Sequence, residues 1–131
     1  MLFFLVCVLF TYTTAGRPLT RAWERGVTAT YSYDNGGGLS SISYNDSGAT
    51  PGVTRTFDRR GRSKTIAQNS ITTTMAYNGF GRRLSESYSG GMLGGQAITN
   101  DFDSHQRRTI AIAAGLGATA QNYTYDTGGR L

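Results

Sequence analysis

Asp34, Asp58, Asp103 and Asp126 recur along this chain, and paired carboxylates, one protonated and one ionised, are the working parts of a glycosidase. All four stand in one local context, directly after a Tyr or Phe and just before a glycine-bearing segment, except that Gln106 takes the glycine's place after Asp103. That shared context points to turn capping, since an Asp side chain accepts a hydrogen bond from the backbone N–H two residues on. His105 is the one histidine and sits beside Arg107 and Arg108 in a turn-like segment. A histidine base needs a nucleophile and an orienting carboxylate, which a lone imidazole does not bring. Cys7 lies between Val6 and Val8, an apolar setting that raises a thiol pKa rather than activating it. One cysteine and one histidine leave no disulfide framework and too few ligands for a zinc site.

Gly115-Leu116-Gly117-Ala118-Thr119-Ala120 matches a dinucleotide-binding pattern after the apolar stretch 109–113. Such a site also requires a following helix and an acidic residue about twenty positions on. The next residues, Gln121-Asn122-Tyr123-Thr124-Tyr125-Asp126, read as a strand entering a turn. No catalytic, cofactor-binding or metal-ligating residue is therefore assigned, and the chain is expected not to be an enzyme.

The formal charge of +5 rests on thirteen basic residues, a balance that suits nucleic acid, anionic membranes or acidic glycans. The arginines are dispersed without a polybasic block, and no nucleic-acid-binding motif is present, so nucleic acid is not expected as a partner. Arg17, Arg62, Arg82, Arg107 and Arg130 recur at regular positions. They would pair with turn carboxylates of adjacent hairpins, or form a basic ladder for acidic glycans.

Eighteen glycines and two prolines, with eight Tyr and six Phe, describe many short strands joined by tight turns. A hydrophobic content of 38% is low for a closed core in a chain of this size. The expected arrangement is a sheet that is apolar on one face and polar on the other.

An aromatic residue followed by Asp, Asn or Thr, two variable positions, Gly and then Arg recurs six times. The copies begin at Tyr12, Tyr33, Phe57, Tyr77, Phe102 and Tyr125, separated by 21, 24, 20, 25 and 23 residues. That spacing accommodates two strands and two turns, one hairpin unit per copy. The second residue (Thr13, Asp34, Asp58, Asn78, Asp103, Asp126) starts each turn. The glycine (Gly16, Gly37, Gly61, Gly81, Gly129) takes the positive φ that ends a type I turn with a bulge. Arg opens the return strand, its stem across the sheet and its head in water. Three copies depart from the pattern: Thr13 replaces the acid, Gly38 replaces Arg, and Gln106 replaces Gly at a position where Gln tolerates positive φ poorly. Tyr31 and Tyr33 are expected on one face, as are Met75 with Tyr77, Ile98 with Phe102, and Tyr123 with Tyr125. Leu39, Ile66, Leu84 and the pair Ile110 and Ile112 add to that face from the return strands, with Thr, Ser, Asn and Arg opposite.

The pattern, nearest to complete in Tyr125-Asp126-Thr127-Gly128-Gly129-Arg130-Leu131, resembles the YD (tyrosine–aspartate) repeat of Rhs proteins, also found in insecticidal toxin complexes and teneurins. The resemblance covers about residues 10–131. It implies an all-β fold, a curved antiparallel sheet of repeated β-hairpins. It also implies the function of a structural scaffold or encapsulating shell in a secreted or surface protein. A carbohydrate-binding repeat module is the alternative. Partners would be further repeats of a longer chain, or self-association through open sheet edges, and glycans under the alternative.

Residues 1–10 form either an apolar strand or a signal-like segment. A short apolar run near Thr13-Thr14-Ala15 suits a signal, whereas the alternation of Val6, Val8, Phe10 and Tyr12 suits a strand. The run is too short to span a bilayer as a helix. Residues 11–131 form the hairpin array of about six repeats, and the chain reads as a fragment of a longer shell truncated at both ends.

Overall fold

In the computed structural model the chain is all-β, and the structure describes residues 8–115, 117 and 119–131. Val6, Cys7 and the rest of residues 1–7 lie outside the described residues. Among the described residues eleven strands succeed one another in chain order, antiparallel in each pairing described. They are β1 (Val8–Tyr12), β2 (Pro18–Trp23), β3 (Thr28–Tyr33), β4 (Leu39–Tyr44), β5 (Val53–Phe57), β6 (Ser63–Gln68), β7 (Ile71–Tyr77), β8 (Arg83–Ser89), β9 (Ala97–Phe102), β10 (Arg108–Ala114) and β11 (Thr119–Asn122). Thr, Ser, Tyr, Val and Ile dominate these segments, as a pleated and half-exposed surface favours. Among the described residues the one helical element is a 3-10 turn at Gly91–Leu93, and no helix is long and apolar enough to cross a membrane.

The chain divides into two compact units, Met1–Ser63 with Ala67–Asn69, and Lys64–Ile66 with Ser70–Leu131. In the first, Arg21 pairs with Ala29 and Ala29 with Tyr44. The alanine is fully covered, at 0% exposure, because two long side chains flank a short one across neighbouring strands. The same face carries Tyr31 opposite Ile42, and Ile42 opposite Val53. In the second unit Met75 pairs with Glu86, Glu86 with Ile98, and Ile98 with Ala113. Asn100 is 8% exposed, and its Nδ2 donates to the Arg83 carbonyl at 3.2 Å. No large side chain is fully buried among the described residues. Cohesion therefore rests on ladder hydrogen bonds and cross-strand pairs, each pair worth about 0.2–1 kcal/mol.

Two expectations about the faces are corrected. Ile110 stands opposite Asp101 and Ile112 opposite Thr99, which places the pair on the face away from Ile98 and Phe102. Arginine is not confined to the polar face: Arg21 pairs with Phe10, and Arg55 alternates with Val53 and Phe57.

The facing of Ile110, Ile112 and Arg21 traces to a bulge, whereas Arg55 shares a face with Val53 and Phe57 by plain alternation. Each of four hairpins pairs the motif aromatic with the residue just past the motif's sixth position, then skips one residue on the return strand. Tyr12 pairs with Pro18 and Thr11 with Thr20, omitting Leu19. Tyr33 pairs with Leu39 and Ser32 with Ser41, omitting Ser40. Leu84 and Thr109 are passed over in the same way. One extra residue reverses the in–out order of everything beyond it.

Candidate functional site

The six motif copies close into six turns of one backbone geometry. The N–H of Thr13, Asp34, Asp58, Asn78, Asp103 or Asp126 donates to the carbonyl four residues on, at 2.7–2.9 Å. The N–H of Gly16, Gly37, Gly61, Gly81, Gln106 or Gly129 donates back to the carbonyl of the turn's first residue, at 2.9–3.0 Å. The residue that closes this bond has positive φ in every copy, from 62° at Gln106 to 91° at Gly81. A further turn, at 23–27, repeats the same two backbone bonds with Gly26 at φ 82°. Sequence reading passed over it because Trp23 supplies no capping side chain, though Glu24-Arg25-Gly26 carries the turn signal.

Side chains lock the turns. Asp58 Oδ1 accepts from the N–H of Arg60 at 2.8 Å and of Arg62 at 3.0 Å, and its Oδ2 accepts from Arg62 Nε at 2.7 Å. Asp103 repeats this with His105, Arg107 and Arg107 Nε at 2.9, 2.8 and 2.7 Å. Asp126 holds Arg130 through its N–H at 2.8 Å and its Nε at 2.9 Å. These bonds favour the ionised acid and hold all three carboxyls below their ordinary value. At Asp58 the Arg62 side chain contributes most. At Asp103 and Asp126 the largest effect is the backbone N–H of Arg107 and of Arg130.

Arginine also joins one copy to the next. The Arg17 guanidinium lies 4.6 Å from the centre of the Tyr33 ring, and Tyr33 Oη donates to the Pro18 carbonyl at 2.8 Å. Arg107 lies 4.6 Å from the Tyr125 ring, and Tyr125 Oη donates to the Arg108 carbonyl at 2.8 Å. Pro18 and Arg108 occupy the same position of the motif. Each guanidinium also abuts the turn glycine of the following copy: a Cβ on Gly37 would lie 2.7 Å from Arg17 Nη1, and one on Gly129 would lie 3.4 Å from Arg107 Nη1. Elsewhere Tyr12 stacks on Phe10 at 6.4 Å, Tyr77 Oη reaches Met75 Sδ at 3.7 Å, and Arg82 and Phe102 line one cleft.

The departures from the motif are accommodated individually. Thr13 Oγ1 accepts from the Arg17 N–H at 3.1 Å. Asn78 Oδ1 accepts from Phe80 at 3.0 Å and Arg82 at 2.9 Å, leaving its amide free to donate to Gln106 Oε1 at 2.7 Å. At Gly38 the N–H reaches Asp34 Oδ1 at 2.7 Å, and no guanidinium follows.

The residues weighed for chemistry are dispersed. His105 is exposed and meets Ser104 Oγ at 3.3 Å through Nδ1, while neighbouring Asp103 is engaged by Arg107. Leu116 and Ala118 of the glycine-rich pattern lie outside the described residues, and strand β11 follows where a dinucleotide site needs a helix.

No family model matches the chain, and no curated protein does. Among solved structures it is similar to a chain in the crystal structure of TcdB2-TccC3-Cdc42, with a TM-score of 0.70 and 18% identity over 92% of this chain. It is also similar to one in the crystal structure of TcdB2-TccC3-TEV, with a TM-score of 0.68 and 17% identity over 90%. The match occupies 6% of each of those chains. What is shared at this identity is the fold, an antiparallel sheet of consecutive hairpins.

Proposed function

We propose that this chain is a segment of the YD-repeat shell of an Rhs-type secreted toxin protein, a structural scaffold without catalysis of its own. The ladder of six turns of one geometry carries the reading. Asp58, Asp103 and Asp126 spend their carboxylates on their own turns, and Arg17 and Arg107 lie on the next ring. A unit of this kind can propagate a wall, because where the arginine is present one copy stabilises its successor. The fold likeness to TcdB2-TccC3 toxin complex chains, of which this chain spans 6%, supports the same assignment. Cryo-electron microscopy of the intact protein containing this chain tests it. Further hairpins bonded to β1 and β11 are expected; a free-standing domain with both edges covered by other folds would overturn the reading.

One observation favours a carbohydrate-binding role as the second reading. Trp23 stacks on Tyr44 at 6.3 Å, with Arg21 and Arg25 at 4.6 and 5.6 Å from its ring. Aromatic platforms edged by arginine suit acidic sugars. A glycan array with wild type and Trp23→Ala separates the readings: retained signal on sulfated glycans, lost in the variant, selects this one.

A further inference from the structure

The second copy of the motif lacks the arginine that joins the first turn to the second and the fifth to the sixth. The Phe57 ring stands against Gly38, where a Cβ would lie 2.9 Å from Phe57 Cε2, and beyond it the place of a guanidinium is left as a cleft. In the fifth copy the Arg107 guanidinium fills that place. It is bound to Asp103 Oδ2, stacked 4.6 Å from the Tyr125 ring, and set against Gly129. The corresponding residues of the second copy are Asp34, Phe57 and Gly61, with Gly38 at the arginine's position. All four line one open cleft of about 610 Å³. Asp34 Oδ1 accepts the Gly38 N–H, and no described lysine or arginine pairs with the carboxylate. Gly61 faces open space in its Cβ direction, where Gly37 and Gly129 meet the preceding arginine. The carboxylate, ring and turn glycine of the arginine site are all present, without the arginine.

We propose that the cleft between Asp34, Phe57 and Gly61 binds a guanidinium group supplied by an arginine of another polypeptide. The carboxylate provides the charge-assisted hydrogen bond and Phe57 the ring. Asp58 also lines the cleft, but its Oδ2 is held by Arg62. Arg59 lines it too and opposes a second cation. The inference goes beyond the scaffold reading and stands without it, because it rests on a comparison of two copies within one chain.

The test is titration of the full chain with N-acetyl-arginine methylamide, followed by amide chemical shifts. Saturable shifts confined to Gly36, Gly37, Gly38 and Gly61 are expected, with the lysine analogue binding more weakly. Asp34→Asn is expected to weaken binding about fivefold, the scale of one exposed ion pair. Its fold should survive, since Asn78 closes the same turn. Arg59→Ala removes the competing cation and tightens binding. The proposal is overturned by any of three results: no saturable shift, equal affinity in Asp34→Asn, or equal shifts at the turns of Asp103 and Asp126, which lie outside the cleft and hold their own arginines.

Discussion

Asn78, the one asparagine at the motif's second position, and Gln106, which stands in place of a turn glycine, meet across 28 residues of sequence, with Asn78 Nδ2 donating to Gln106 Oε1 at 2.7 Å. An aspartate at 78 would have no N–H to give, and a glycine at 106 would have no side chain to receive it. Gln106 is held at φ 62°, a conformation costing an L-residue about 1 kcal/mol. The amide bond returns a similar amount. Gln106→Ala keeps the strain and loses the bond, so it should destabilise by about 1 kcal/mol. Gln106→Gly loses both and should stay near wild type. Urea unfolding of the two variants measures the difference, and equal losses would mean that φ at 106 is not strained.

The turn glycines separate backbone strain from space. Gly61 has φ 75° and an open Cβ direction, while Gly79 has an open Cβ direction without positive φ. Gly61→Ala is expected to cost about 1–2 kcal/mol, and Gly79→Ala to be neutral or slightly stabilising. Gly37→Ala should cost more than Gly61→Ala, because its Cβ also displaces Arg17. Thermal melts rank the three, and a Gly79 loss as large as that of Gly61 would count against the turn geometry.

Arginine at the joint between copies is not replaceable by lysine. Arg107→Lys retains the charge but loses the planar stack on Tyr125 and the Nε bond to Asp103. The expected cost is about 1 kcal/mol. Tyr125→Phe keeps the stack and loses only the hydroxyl bond to Arg108. A double-mutant cycle on Arg107 and Tyr125 should show coupling between them, and additive losses would remove the stack as a link between copies.

Acid should loosen the turns. Asp58, Asp103 and Asp126 have folded pKa values below the ordinary value. Their contribution is therefore fully present above the unfolded pKa, about 4, and is lost as pH falls through the lower folded values. The melting temperature is expected to decline below about pH 4. Asp103→Asn, which keeps a capping oxygen as Asn78 does, should make that decline shallower. An unchanged acid profile in the variant would show that the Asp103 carboxylate does not contribute.

Strand β1, which ends the strand order among the described residues, presents Leu9 at 64%, Phe10 at 42% and Tyr12 at 59% exposure. Uncovered apolar strand edges recruit further strands. The isolated chain is expected to self-associate in light scattering, and Leu9→Lys with Phe10→Lys to shift it toward monomer. A monodisperse, cooperatively melting wild-type monomer would refute this.

The turns were legible in the sequence because everything that makes them lies within six residues. In 57–62 a ring, a capping Asp, a Gly at positive φ and an Arg complete their bonds among themselves, and the repetition of that unit implied strands between. The faces beyond the turns were not legible. Strand alternation has a period of two, so the bulge residues Leu19, Ser40, Leu84 and Thr109 invert the facing of every later residue in their strands. No residue type marks those bulges, which is why Ile110 and Ile112 were expected on the wrong face. The tolerance of Gln106 and the open place beside Asp34 depend on what the neighbouring copy brings within reach: an amide from Asn78 in one case, and a ring without an arginine in the other. Local hydrogen-bonding chemistry determined the hairpins, and contacts between copies, which only the tertiary structure brings together, decided how each side chain is used.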